Sequence, residues 1–156
     1  MSTTTTTSTT AGTSAALAAW APRLLSVLRI VAALLFLEHG TQKLFGFPMR
    51  MGGAATGPAV FSLIWFAAVL ELVGGALLAL GLFTRPVAFL LSGEMAVAYF
   101  MSHAPRNFFP ALNGGDAAIL FCFVFLYLAA AGPGPWSLDA TRTRTGMLGS
   151  RDALVR

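Results

Sequence analysis

The stretch FSLIWFAAVLELVGGALLALGL, residues 61–82, decides the fold. As a helix rising 1.5 Å per residue it reaches about 33 Å, and the hydrocarbon core of a bilayer is about 30 Å thick. Glu71 is its single charged residue. Gly and Pro flank the stretch on its N-terminal side, and Thr84-Arg85-Pro86 follows it. The stretch therefore predicts a helix that spans a lipid bilayer.

The composition of the whole chain supports this reading. Hydrophobic residues make up 56% of the chain and charged residues 10%, with a mean hydropathy of +0.75. A soluble domain needs far more charge to cover its surface. The net charge of +4 suits contact with anionic lipid head groups, and nothing in the sequence indicates a nucleic-acid partner. The single cysteine, Cys122, excludes an internal disulfide and a multi-cysteine metal site.

Three more apolar stretches resemble residues 61–82, so the chain is predicted to be all-α, an integral membrane protein with a four-helix transmembrane bundle over residues 22–139. Pro22 is expected in the first turn of the first helix, and Asp116 is expected to be the N-cap of the last. The four spans are placed at about 24–45, 61–82, 86–102 and 116–131.

Both ends of the chain differ from this middle part. Residues 1–21 are rich in Thr, Ser and Ala and are predicted to be a disordered tail without a signal cleavage site. Residues 140–156 form a basic tail. With four spans both tails lie on one side, together with seven of the ten basic residues. The positive-inside rule then predicts that both termini are cytoplasmic.

All three glutamates fall inside predicted spans, at Glu38, Glu71 and Glu94. A charged side chain at the centre of a membrane helix costs about 2.5 to 3.5 kcal/mol, so each is expected to face protein or water. Arg29 and Lys43, near opposite ends of the first span, are long enough to snorkel outward.

Small residues indicate where the helices approach each other. Ala67, Gly75 and Ala79 share a face with Glu71 at intervals of four residues, which predicts close helix packing there. Gly93, next to the glutamate of the third span, predicts a second packing surface. The glutamates would then be shielded by neighbouring helices.

Two histidines lie near the outer ends of the spans that carry glutamates. His39 and Lys43 are four residues apart on one helix face, and His103 is at the corresponding end of the third span. No haem motif or metal-ligand spacing is present, so no metal is expected. The alternative is that the acids are protonated or hydrogen-bonded and only lock the packing. The candidate residues of a ligand or proton pocket are Glu38, His39, Lys43, Glu71, Glu94 and His103.

Four motifs together resemble the DoxX family of small bacterial four-helix membrane proteins. They are HGTQKLFG at 39–46, ELVGGALLALGLFTRPVA at 71–88, NGGDAAIL at 113–120 and GPGPWSLD at 132–139. Asp116 stands where the family commonly has Glu. The resemblance implies a redox-associated membrane subunit, since the family name comes from a subunit of a thiosulfate:quinone oxidoreductase or terminal quinol oxidase. Mycobacterial relatives are linked to a complex for oxidative-stress defence.

Three functions remain open on the sequence. The first is a small subunit of a quinone-linked or redox-stress complex with bound quinone as cofactor. An oxidoreductase partner or a bound flavin would supply the electrons, and the chain is then at most an accessory subunit of an enzyme. The second is permeation of a small solute or proton, for which four spans offer little room unless the protein forms a homodimer. The third is a structural assembly or scaffold subunit without chemistry.

Overall fold

The computed structural model describes residues 8–49 and 56–143, and all regular structure within them is helical, without strands. A π-helical turn, Tyr99–His103, continues α3. Residues 138–143 are also helical. The predicted all-α class is confirmed. The helices are α1 (Ser8–Phe45), α2 (Leu63–Leu80), α3 (Thr84–Ala98), α4 (Pro110–Asn113) and α5 (Asp116–Ala131).

Two helices of the described ranges are long and apolar enough to cross a membrane. They are the Leu17–Phe45 part of α1 and the whole of α2. The apolar helix α5 is shorter, with 16 residues, and α3 has 15 before its π-helical turn. By length alone, therefore, two of the four predicted spans qualify.

The first helix begins earlier than the sequence suggested. It starts at Ser8, so the structure differs from the disordered tail expected over residues 1–21, of which residues 1–7 lie outside the described ranges. Alanine has the highest helix propensity, and an alanine-rich segment continues a helix that has already nucleated. Pro22 consequently lies inside α1 and not in its first turn.

The second helix is shorter at both ends than the predicted span 61–82. Ser62 is its N-cap, and its hydroxyl accepts a hydrogen bond from the Trp65 amide at 3.2 Å. Gly81 ends the helix in the left-handed region, with φ 67°, which glycine adopts without steric cost. Local capping, which hydropathy does not detect, sets these limits.

Helices α1 and α2 approach each other closely at two glycines. A Cβ on Gly40 would lie 2.6 Å from the Leu72 amide nitrogen, and one on Gly75 would lie 3.0 Å from the Cα of Leu37. Gly75 therefore lies at a helix contact, as the small-residue strip predicted. Gly93 does not, because a Cβ there would meet no described atom within 4 Å.

The core joins all four long helices. Phe36 of α1 packs edge-on against Phe125 of α5, with ring centroids 4.9 Å apart, and both are fully buried. Leu78 of α2 and Leu91 of α3 complete this layer. Many other large apolar side chains point outward, among them Leu34, which is 54% exposed. An exterior of this kind is unfavourable in water and suits lipid.

Candidate functional site

The centre of the candidate site is an ion pair between α1 and α2. The Lys43 ammonium donates a hydrogen bond to Glu71 Oε1. Glu71 is only 2% exposed, so its charge is enclosed by protein. The close helix approach at Gly40 brings this part of α1 beside α2. Lys43 thus points inward to a carboxylate, whereas the sequence also allowed it to snorkel toward the head groups.

A second carboxyl group comes from α3. Both oxygens of Glu94 are buried, and neither has a hydrogen-bond partner among the described residues. Glu94 lies within electrostatic range of Glu71 and Lys43. Glu71 Oε2 is likewise buried without a donor in the described ranges. Of the two carboxyl groups, therefore, only that of Glu71 is paired with the Lys43 ammonium group in the described ranges.

His39 extends this group toward α5. It lies within electrostatic range of Glu71, and its ring meets the Phe121 ring edge-on at a centroid distance of 6.0 Å. We refer to His39, Lys43, Glu71 and Glu94 as the polar cluster. The cluster draws on α1, α2 and α3, with one aromatic wall from α5.

Two predicted pocket residues lie outside the polar cluster. The Glu38 side chain is exposed on the outer face of α1, beside Leu34 and Leu35, and faces neither a neighbouring helix nor the cluster. His103 Nδ1 lies 3.1 Å from the Asn113 carbonyl oxygen, and its ring stacks on Tyr99. Sequence spacing gave the position of these residues along their helices but not the direction in which their side chains point.

The Arg29 side chain differs most from its predicted direction. It was expected to snorkel outward, yet it is fully buried. Its Nε donates to the Pro133 carbonyl at 2.8 Å, its Nη1 to the carbonyls of Ala79, at 2.8 Å, and Leu78, and its Nη2 to that of Trp136. The last carbonyls of a helix lack internal partners, and the guanidinium fork suits several at once. The turn GPGPW, in which two prolines have carbonyls but no N–H groups, was the feature of the sequence that indicated acceptors for Arg29.

Two more charged residues connect helix ends, at the same end of the molecule as the hydrogen bonds of Arg29. Arg85 Nη1 donates to the Ala129 carbonyl at 2.9 Å, near the end of α5. The Asp139 carboxylate accepts from the Phe83 amide at 3.0 Å and the Thr84 amide at 2.9 Å, and so caps α3. We refer to Arg29, Arg85 and Asp139 as the clasp.

The hydrogen bonds at the start of α3 also shift the pKa of Asp139. Partial burial alone would raise the pKa of this carboxyl group, but the hydrogen bonds from the Thr84 and Phe83 amides favour the charged form. Together with the nearby positive charge of Arg142 they hold its pKa below the ordinary value. Asp139 is therefore ionised at neutral pH.

The remaining predicted residues lie at the start of a helix or on helix faces, outside the polar cluster. Asp116 is the first residue of α5 and not its N-cap, which is Gly115, because the Asn113 side chain already accepts the Gly115 amide at 2.7 Å. Its charge still suits the positive end of the helix. Ala79 packs against the core, and Ala67 is half-buried. In the described part of the chain, no three potential ligands lie close enough to hold a metal ion.

Comparison with known proteins gives two matches. Residues 24–104 match the model of the DoxX family. A curated protein of Haemophilus influenzae, described as an uncharacterized protein, is 48% identical over 103 residues, which cover 64% of this chain and 76% of the relative. No solved structure matches. The family match includes every residue of the polar cluster.

Proposed function

The chain belongs to the DoxX family of membrane proteins, and from that premise we propose that α1, α2, α3 and α5 form a four-helix transmembrane bundle whose polar cluster binds a lipophilic ligand and exchanges protons with it. The chain would act as a small subunit of a quinone-linked or redox-stress complex. Both termini would be cytoplasmic in the bacterial inner membrane, because seven of the ten basic residues lie on their side.

The unpartnered carboxyl group of Glu94 carries this proposal. Most buried polar atoms in proteins have hydrogen-bond partners, and exceptions concentrate at functional sites. A carboxyl group that only fixed helix packing would be expected to have a donor. It lies near the Lys43–Glu71 pair, so the cluster holds a second carboxyl group besides the one that is paired with Lys43.

The chemistry of the cluster fits a quinone. Quinone carbonyl oxygens accept hydrogen bonds, and Lys43 or a protonated carboxyl group can donate them. Reduction of a quinone to a quinol takes up two electrons and two protons, and carboxyl groups beside a histidine can relay the protons. With one cysteine and no haem motif, this chain does not offer the electrons, which a partner oxidoreductase would supply.

The test is to purify the full chain from native membranes in a mild detergent and to measure bound quinone by mass spectrometry of the extracted lipid. Wild type should retain quinone above the ratio of the bulk membrane, and Glu94→Gln should retain several-fold less. Glu38→Gln is the matched control, because that side chain is exposed and outside the cluster. Wild type that carries no more quinone than bulk lipid would refute the ligand assignment.

Proton permeation is the second candidate, favoured by the same unpartnered carboxyl group of Glu94. It predicts that the protein in liposomes dissipates a pH gradient, measured with an enclosed pH-sensitive dye, and that Glu71→Gln abolishes the flux. A quinone-binding subunit without a permeation path would leave the gradient intact. A scaffold would show neither activity, and its complexes would survive both glutamine substitutions.

A further inference from the structure

A cavity lies at the clasp end of the molecule, apart from the polar cluster. It has a volume of about 420 Å³ and opens to the outside. Phe83 and Pro133 contribute apolar walls, and Arg85, Asp139 and Arg142 contribute charges. The cavity therefore combines an apolar lining with three ionised side chains.

The charges favour an anion. The Asp139 carboxylate is engaged by two main-chain amides, so its negative charge is partly offset, and it stands against two arginines. Within the described ranges both hydrogen bonds of Arg85 use Nη1, and its Nε and Nη2 have no acceptor there. Arg142 Cζ lies over the Phe83 ring, 5.4 Å from the ring centroid, which places a second guanidinium group beside the cavity.

The position favours a lipid. The cavity lies where α2 has ended, α3 begins and α5 has ended, which is the head-group level of a membrane bundle. Phe83, 54% exposed, offers an apolar surface directly beside the two arginines. Such a pairing of aromatic and cationic side chains suits the boundary between acyl chain and phosphate.

We propose that this cavity binds the phosphate group of an anionic phospholipid, held by Arg85 and Arg142. Guanidinium groups bind phosphate oxygens in pairs, and basic pockets beside membrane helices are suited to acidic head groups. The proposal depends on placing the chain in a bilayer and is independent of the quinone assignment.

The experiment measures lipid retained by the full chain in detergent by native mass spectrometry. Phosphatidylglycerol and phosphatidylcholine with identical acyl chains are added in separate samples. Wild type should retain phosphatidylglycerol about tenfold more than phosphatidylcholine, and Arg142→Gln should remove most of that preference. Arg142→Lys, which keeps the charge but loses the planar fork, should fall between them.

Arg23→Gln is the matched control. Arg23 is also exposed and stacks on an aromatic ring, that of Trp20 at 5.3 Å, but it does not line the cavity. Its substitution should leave lipid retention unchanged. An equal loss in Arg23→Gln and Arg142→Gln would overturn the proposal in favour of general surface charge, as would equal retention of the two lipids by wild type.

Inorganic phosphate distinguishes the source of the anion. Phosphate at millimolar concentration should not displace phosphatidylglycerol, because it lacks the acyl chains that contact Phe83. If phosphate alone displaces the lipid and raises the unfolding temperature of wild type but not of Arg142→Gln, the cavity binds free phosphate and the lipid assignment is wrong.

Discussion

The clasp and the polar cluster both place charged side chains among apolar helices, and they differ in how those charges are satisfied. Arg29 is fully buried and donates to four main-chain carbonyls, whereas Glu94 has two buried oxygens without a partner among the described residues. The clasp completes helix ends that would otherwise leave carbonyls unpaired. The cluster retains binding capacity. Burial alone therefore does not distinguish the two sets of charges, whereas hydrogen bonding does, and under the proposed function that difference separates structural from ligand-binding charges.

The largest expected effect is at Arg29. Arg29→Met keeps an unbranched apolar chain but removes every donor, so the carbonyls of Ala79, Pro133 and Trp136 lose their hydrogen bond. The Leu78 carbonyl keeps the hydrogen bond from the Gly81 amide. An unsatisfied buried polar group costs about 1 to 3 kcal/mol. Several carbonyls lose a donor in this variant, so we expect the free energy of unfolding to fall by at least about 3 kcal/mol. Thermal or denaturant unfolding in detergent measures it. Wild-type stability of Arg29→Met would contradict the clasp.

A smaller effect on stability is expected at Gly40, where α1 and α2 approach each other beside the polar cluster. Gly40→Ala places a methyl group 2.6 Å from the Leu72 main chain and should separate α1 from α2, at a cost of about 2 kcal/mol. Gly93→Ala is the control, because the added methyl group meets no described atom within 4 Å. Unfolding of the two variants in the same detergent should therefore differ. Equal stability would show that the helices do not pack as described.

A still smaller effect is expected at Asp139, and it depends on pH. Asp139→Ala removes the cap of α3 and should cost about 1 kcal/mol at neutral pH. Because the folded pKa lies below the ordinary value, this stabilisation is present above about pH 4 and is lost as the pH falls through the folded pKa. The stability difference between wild type and variant should therefore vanish in acid. A difference that stays constant from pH 7 to pH 3 would exclude the carboxylate as its source.

The smallest effect on stability is expected at Glu94. Glu94→Gln preserves shape and replaces the ionisable carboxyl group by a neutral amide, and no described hydrogen bond is lost. The unfolding free energy should therefore change by less than in Asp139→Ala, which loses two hydrogen bonds, while retention of the ligand falls. A loss of stability as large as that of Arg29→Met would instead place Glu94 among the structural charges.

Hydropathy predicted the helices better than it predicted the site. The limits of α5 agree with the fourth predicted span, and Lys43 and Glu71 were both named as pocket residues. The position of a residue along its helix can be predicted from one segment of sequence. The acceptors of Arg29 come from residues 49 to 107 positions away, so its inward direction could not be read from its own helix.

The same limit explains Glu38 and Asp139. Hydropathy placed Glu38 within a span, but its outward direction follows from the close approach of α1 to α2, which involves both helices. Asp139 was part of a recognised motif, yet its role as a cap appears only when the chain returns to α3 after 55 residues. Charges whose function depends on a distant main-chain group are therefore the ones that sequence patterns miss.

Pro22 has a mechanical consequence for the first helix. A proline inside a helix supplies no amide to the carbonyl four residues earlier, so resistance to bending is lowest there. Arg29, seven positions further on, fixes the remainder of α1 to the bundle. Torque applied to residues 8–21, for example by a bulky fusion partner, should be absorbed as tilt at Pro22 and should not be transmitted to the part of α1 that follows it.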